Sequence, residues 1–195
     1  MPFNPYVGFD SLIADEIRLR LTWLSYLAFA IACRYILSES GLSDITLSSR
    51  KHLKGRVASG SGFDMTASYH TESGRIRALV TLKRYTHPVS AAAVDLLRGA
   101  MAKEHASVGL IVTTASFSDK AREAALADPT HPVHLIDGRQ LSALALACGF
   151  GVADIANPVG PGRIVEYSDA SFVACEEEAA RHLEAPRTVQ KKGGL

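Results

Sequence analysis

Residues 60–85 read Gly-Ser-Gly-Phe-Asp-Met-Thr-Ala-Ser-Tyr-His-Thr-Glu-Ser-Gly-Arg-Ile-Arg-Ala-Leu-Val-Thr-Leu-Lys-Arg-Tyr. Two β-rich runs flank a short polar stretch ending in Gly74, the pattern of a β-hairpin. Asp64 stands near the start of the first run and Lys83 near the end of the second. In an antiparallel pair those two ends are neighbours. A carboxylate and an ammonium distant in sequence are thereby expected at one edge of a sheet.

That juxtaposition suits metal-assisted phosphodiester cleavage. The carboxylate can hold a divalent cation, and the lysine can position or activate water and offset phosphate charge. The alternative is that Asp64 caps a turn or pairs with Lys83, an ordinary strand lysine.

The charge distribution bears on the same stretch. The net charge is +1, so no global field argues for a polyanionic partner. Between Arg50 and His87, however, eight Lys/Arg face two acids, while Glu176, Glu177 and Glu178 lie far along the chain. This local excess fits a polyanion ligand, and it equally fits an edge strand carrying protective charges.

Upstream, residues 1–9 form an irregular lead-in, and a helix is expected from about Asp10 to Ser38, ended by Gly41. Its middle, Leu21–Cys33, is apolar almost all round. Bounded by Arg20 and Arg34, that run is shorter than the roughly 20 residues a membrane span needs, so a helix in a core or a partner interface is expected. If Trp23, Tyr26, Leu27 and Phe29 exceed what one small sheet can cover, the surplus would drive homodimerisation or docking into a hetero-complex. Leu42–Leu47 reads as a short strand. Arg50–Gly62, basic and then Gly/Ser-rich, reads as a loop.

Downstream, Pro88 is expected at the first position of a helix whose face is Val94, Leu97 and Met101. Ser107–Thr114 is a β-branched, near-continuous apolar run, expected as a strand buried on both faces. Ser118 should cap a helix to about Ala127. Val133–Ile136 should be a short buried strand, and Asp137 should open a helix over 139–148. The order after the hairpin implies parallel crossovers, hence an α/β protein with a mixed sheet covered on both faces. Residues 151–195 read as a C-terminal extension, partly disordered, with a stray strand at 164–167 and a short helix at 171–184.

Cys33, Cys148 and Cys175 are far apart and form no Cys-x-x-Cys, which fits a reducing cytosol rather than a zinc site or disulfide framework. The Met1 end lacks a basic segment followed by an apolar one, so no signal peptide is expected. A cytoplasmic protein is the expectation.

Taken together, Leu-Lys-Arg-Tyr-Thr-His-Pro-Val-Ser (82–90), Leu-Leu-Arg-Gly-Ala-Met (96–101), Gly-Leu-Ile-Val-Thr-Thr-Ala-Ser-Phe-Ser-Asp-Lys-Ala-Arg-Glu-Ala-Ala (109–125) and His-Leu-Ile-Asp-Gly-Arg-Gln-Leu (134–141) resemble the catalytic domain of Mrr-type restriction endonucleases, within the PD-(D/E)XK nuclease superfamily. The resemblance covers roughly residues 25–148 and implies a restriction-endonuclease-like core domain over 10–150. It implies Asp64 and Lys83 as catalytic residues, with Asp64 and the Leu82 carbonyl as ligands to Mg²⁺ or Mn²⁺. Thr81 stands where the family usually has Gln or Glu, and offers a hydroxyl as a weaker ligand. The acid that the family usually carries on its first helix has no counterpart at the matching position, near Ala30. Arg84, Lys51, Lys54, Arg56 and Arg75 are the candidate DNA-binding residues. The implied activity is metal-dependent DNA endonuclease, in defence against foreign DNA and as the effector subunit of a larger complex. The alternative is a catalytically impaired module that binds nucleic acid or a protein partner.

Overall fold

The computed structural model describes residues 7–48, 62–72, 74–156 and 163–184. Five strands form one mixed sheet in the order β1-β2-β3-β4-β5: β1 (Ser43–Leu47), β2 (Met65–Thr71), β3 (Gly74–Lys83), β4 (Val108–Thr113) and β5 (Val133–Ile136). The first three are antiparallel and the last three parallel. The expected hairpin is β2–β3, in a register that sets Met65 opposite Val80 and Thr71 opposite Gly74.

Side-chain alternation along β3 divides the core into two layers. Ala78, Val80 and Leu82 face one side, with Met65, Leu110 and Val112. Covering them are helices α1 (Val7–Trp23), α2 (Tyr26–Glu39), α5 (Gly138–Ala147) and α6 (Ala170–Glu184). Leu79 and Ile111 face the other side, under α3 (Ala91–Glu104) and α4 (Asp119–Leu126). β4 is buried on both faces, as its continuous apolar run requires.

The single helix expected over 10–38 is two helices. Ser25 breaks it: its hydroxyl accepts the Ala28 N–H as an N-cap, while its own N–H and hydroxyl both donate to Glu176 of α6, at 2.6 and 2.8 Å. An N–H tied to another element cannot continue the helical ladder. The helix at Pro88 is also displaced, beginning at Ala91. Val89 is held extended by its bridge to Phe117, its N–H bonding the Ser116 carbonyl. β5 is the edge of the sheet, so only Val133 is buried there and His134 is exposed.

The described residues beyond 150 are integrated rather than appended. β6 (Val152–Ala156) pairs antiparallel with β7 (Arg163–Tyr167), and α6 packs Phe172, Cys175 and Ala179 into the α1/α2 layer. The apolar surplus of α2, expected to seek a partner, is therefore covered from within this chain. Leu27 and Phe29 are buried, while Leu12, Leu19 and Trp23 form an exposed stripe on α1 and Tyr35 stays part-exposed on α2. Among the described residues no helix is long and apolar enough to cross a membrane.

Candidate active site

β2 begins only at Met65, so the edge of β3 beyond Val80 has no strand partner on that side. Asp64 fills the gap with its side chain. Its backbone N–H bonds the Val80 carbonyl, and its Oδ2 accepts the Leu82 N–H at 2.7 Å. The turn into this position runs through Gly62, at φ +75°, where a Cβ would press on Ala100 and on the Leu96 carbonyl of α3.

The other carboxylate oxygen meets Tyr26 at the start of α2. The phenol donates to Asp64 Oδ1 at 2.8 Å and lies 3.5 Å from the Leu82 carbonyl. Burial first, and then the Asp64 charge, push the Tyr26 phenol well above its ordinary pKa. It is therefore a neutral donor at any physiological pH. Sequence reasoning sought an acid on this helix and counted Tyr26 among the apolar residues. The available signal was a hydroxyl-bearing side chain just after a capping serine, at the mouth of an otherwise apolar helix.

Lys83 ends β3, half-buried, with its ammonium 5.7 Å from the centroid of the Tyr85 ring. It makes no ion pair with Asp64 within 4 Å, so the two do not neutralise each other. They are linked through one residue, because Asp64 holds the amide of Leu82. Thr81 is placed differently from the expectation. Its hydroxyl donates to the Gly62 carbonyl at 3.0 Å, so it braces the Gly62 turn that leads into Asp64.

Of the candidate DNA-binding residues, the two described ones, Arg84 and Arg75, lie apart. Arg84 donates Nη1 to the Thr22 carbonyl at 2.8 Å, and its buried Nε has no partner. Arg75 bonds Ser68 and pairs with Asp44 at 3.0 Å, in a groove of about 350 Å³ over the hairpin, remote from Asp64. Lys51, Lys54 and Arg56 lie outside the described residues.

As a cation site, the centre offers hard oxygen donors, one carboxylate and one carbonyl, that converge on a single point, now the Tyr26 hydroxyl. That donor set fits Mg²⁺ or Mn²⁺, which take few protein oxygens and fill the rest of the shell with water and phosphate. Among the described residues no group of three or more His, Cys, Asp or Glu could hold a metal.

A mixed five-stranded sheet between two helical layers is the fold this chain shares with restriction endonucleases. The chain belongs to the restriction endonuclease family described by the Mrr catalytic-domain model, which matches residues 22–145. Among solved structures it is similar to the MspJI restriction endonuclease in complex with a 27-mer oligonucleotide, at 21% identity and a TM-score of 0.50, covering 74% of this chain and 32% of that one. It is similar also to the DNA modification-dependent restriction endonuclease AspBHI, at 18% identity and a TM-score of 0.53, covering 93% of this chain and 41% of that one. At these identities the likeness is one of fold, and the chain spans 32% and 41% of those structures' length. No curated protein matches the chain.

Proposed function

We propose that this chain is a metal-dependent DNA endonuclease that hydrolyses phosphodiester bonds, with Asp64, the Leu82 carbonyl and Lys83 as its working groups. The observation that carries the reading is the convergence of the Asp64 carboxylate and the Leu82 carbonyl on one point, with Lys83 the next residue of the strand. Family membership supports it.

A bound divalent cation would supply Lewis-acid stabilisation of charge on the scissile phosphate. The chain's own part is positional. Asp64, fixed by the Leu82 amide, presents its carboxylate at a set angle. Lys83 brings a positive charge to the same strand end, where it can orient the attacking water and balance the phosphate. A cytoplasmic role in defence against foreign DNA belongs to this reading. So does work as the effector part of a larger assembly or a homodimer, for which the exposed stripe Leu12, Leu19 and Trp23 offers a surface.

One observation favours a second reading. With a single carboxylate at the centre, a catalytically impaired module that binds nucleic acid or a protein is the alternative. Plasmid and single-stranded DNA, incubated with Mg²⁺, Mn²⁺ or EDTA, separate the two. The nuclease reading expects metal-dependent cleavage, lost in Asp64→Asn and Lys83→Ala with both variants folded. Cleavage that survives both substitutions overturns the assignment of the site, and no cleavage in any metal favours the binding module.

A further inference from the structure

A second concavity is assigned by nothing above. A cleft of about 610 Å³ opens at the C-terminal ends of β3 and β4, between α1 and the start of α5. Ligands of open α/β sheets bind beyond such strand ends, and the volume is that of a small-molecule site.

Its charge comes from three elements: Arg18 on α1, Arg122 on α4 and Arg139 on α5. Two acids, Asp15 and Asp137, also line it. Arg18 reaches Asp15 at 3.4 Å and Arg122 reaches Asp137 at 3.7 Å, long pairs between part-exposed groups that hold each other weakly. Asp137 Oδ1 is already occupied by the N–H groups of Arg139 and Gln140, where it caps α5. The helix end is thus closed by its own residue, and any anion would be held by side chains. Among the described residues Arg139 has no carboxylate within 4 Å. A fourth guanidinium, Arg84, is bonded to the carbonyl of Thr22, itself a wall of the cleft, with a buried Nε that has no partner. In the lining itself three guanidiniums stand against two carboxylates, and Arg84 stands behind the wall.

The remaining walls add chemistry of a different kind. Tyr85 lines the cleft with a part-exposed ring, beside the His87 ring at 4.8 Å, and Leu19 adds apolar surface. Guanidiniums suit the planar, forked recognition of phosphate, and an aromatic face beside them suits a nucleobase. Lys83 sits over the same Tyr85 ring, so the cleft adjoins the strand end that carries the candidate centre.

We propose that this cleft is a nucleotide-phosphate site, with Arg122 and Arg139 holding the phosphate and Tyr85 facing the base. The nucleotide is either one unit of a nucleic-acid strand or a free mononucleotide. The inference stands on the cleft's own side chains and does not require that the Asp64 centre cut DNA.

The test is equilibrium binding by the full chain in EDTA, where no cleavage can occur. One arm uses a short fluorescein-labelled single-stranded oligonucleotide read by anisotropy. The other uses deoxyadenosine 5′-monophosphate read by calorimetry, with deoxyadenosine as the phosphate-free control. Arg122→Gln and Arg139→Gln are expected to weaken binding about tenfold each, while Lys103→Gln, exposed in the last turn of α3 and outside the cleft lining, leaves it unchanged. Loss in the oligonucleotide arm alone identifies a strand site, and loss in both arms a site that also takes free nucleotide. The proposal is overturned if neither ligand binds, if the cleft variants bind as the wild type does, or if Lys103→Gln loses as much as they do. Melting curves matching the wild type show that the variants are folded. Cleavage is measured separately, so a dead Asp64 centre and an empty cleft give different results.

Discussion

Tyr26 and Asp64, 38 residues apart in the chain, meet through a 2.8 Å hydrogen bond from the phenol to Oδ1, and the same hydroxyl lies 3.5 Å from the Leu82 carbonyl. A phenol has one proton, and the carboxylate takes it. The hydroxyl thus occupies the point on which the two oxygen donors of the candidate cation site converge.

Tyr26→Phe tests that placement. In EDTA the variant is expected to lose about 2 kcal/mol of stability to urea, the scale of a hydrogen bond to a charged group. In a Mn²⁺ titration followed by electron paramagnetic resonance it is expected to bind several-fold more tightly, because the ion no longer displaces a bonded hydroxyl. Weaker Mn²⁺ binding would instead make the phenol a ligand.

Thr81→Val separates bracing from chemistry. The substitution keeps the side-chain volume and removes the donor that satisfies the Gly62 carbonyl. A loss of about 1–2 kcal/mol in urea denaturation is expected, as for an orphaned buried acceptor. Cleavage should stay within about threefold of wild type, since no contact to the reacting phosphate goes with it. A loss matching that of Asp64→Asn would return Thr81 to the catalytic group.

The hairpin, the buried β4 strand and the two capped helices at Ser118 and Asp137 were legible because each has a local cause: strand alternation, an unbroken apolar run, or a side chain that caps its own helix. What was not legible depends on distant partners. The break at Ser25 is made by Glu176, 151 residues away, and no local breaker marks it. The burial of α2 is completed by α6, from a segment that reads as weakly ordered. Tyr26 reads as one more apolar residue until the fold brings Asp64 to its hydroxyl. Thr81 and Lys83 share strand alternation, yet the hydroxyl is claimed by a carbonyl on the α3 side. Asp64 stands out in the sequence through the family resemblance, and its hold on the Leu82 amide does not.

Phe172→Ala measures how far α6 belongs to the domain. Phe172 is fully buried, edge-on to Phe150 at 5.1 Å between centroids, and Arg20 lies 5.8 Å from its ring centroid. Gly151 passes so close that a Cβ there would touch the ring at 2.9 Å, leaving little room for rearrangement. A loss of about 3–5 kcal/mol is expected, the range for deleting a core phenyl group. A loss under about 1 kcal/mol in urea denaturation would show that α6 docks loosely and the core ends before it.

Stability should fall on the alkaline side, and the sign follows from two buried thiols and two half-buried phenols. Burial pushes the Cys33 thiol well above its ordinary range. Burial, with Glu178 and Glu176 nearby, pushes Cys175 up to about 11. Burial and then the bond to Asp169 push Tyr167 up to about 12, and Tyr26 is higher still. In the unfolded chain thiols ionise near pH 8.5 and phenols near pH 10, roughly. Below that window both states hold these protons and the stability is fully present. Within it the unfolded chain releases protons that the folded chain keeps, so stability drops as pH rises through the folded values. The urea midpoint should be level between about pH 7 and 8 and decline steadily above about pH 9. Cys175→Ala should make the decline shallower by removing one of the displaced groups. The phenolate absorbance of Tyr26 should appear only with unfolding. A midpoint that holds level to about pH 10.5 would mean that these groups titrate in the fold as they do in water, and that the Tyr26 phenol is not sealed against Asp64.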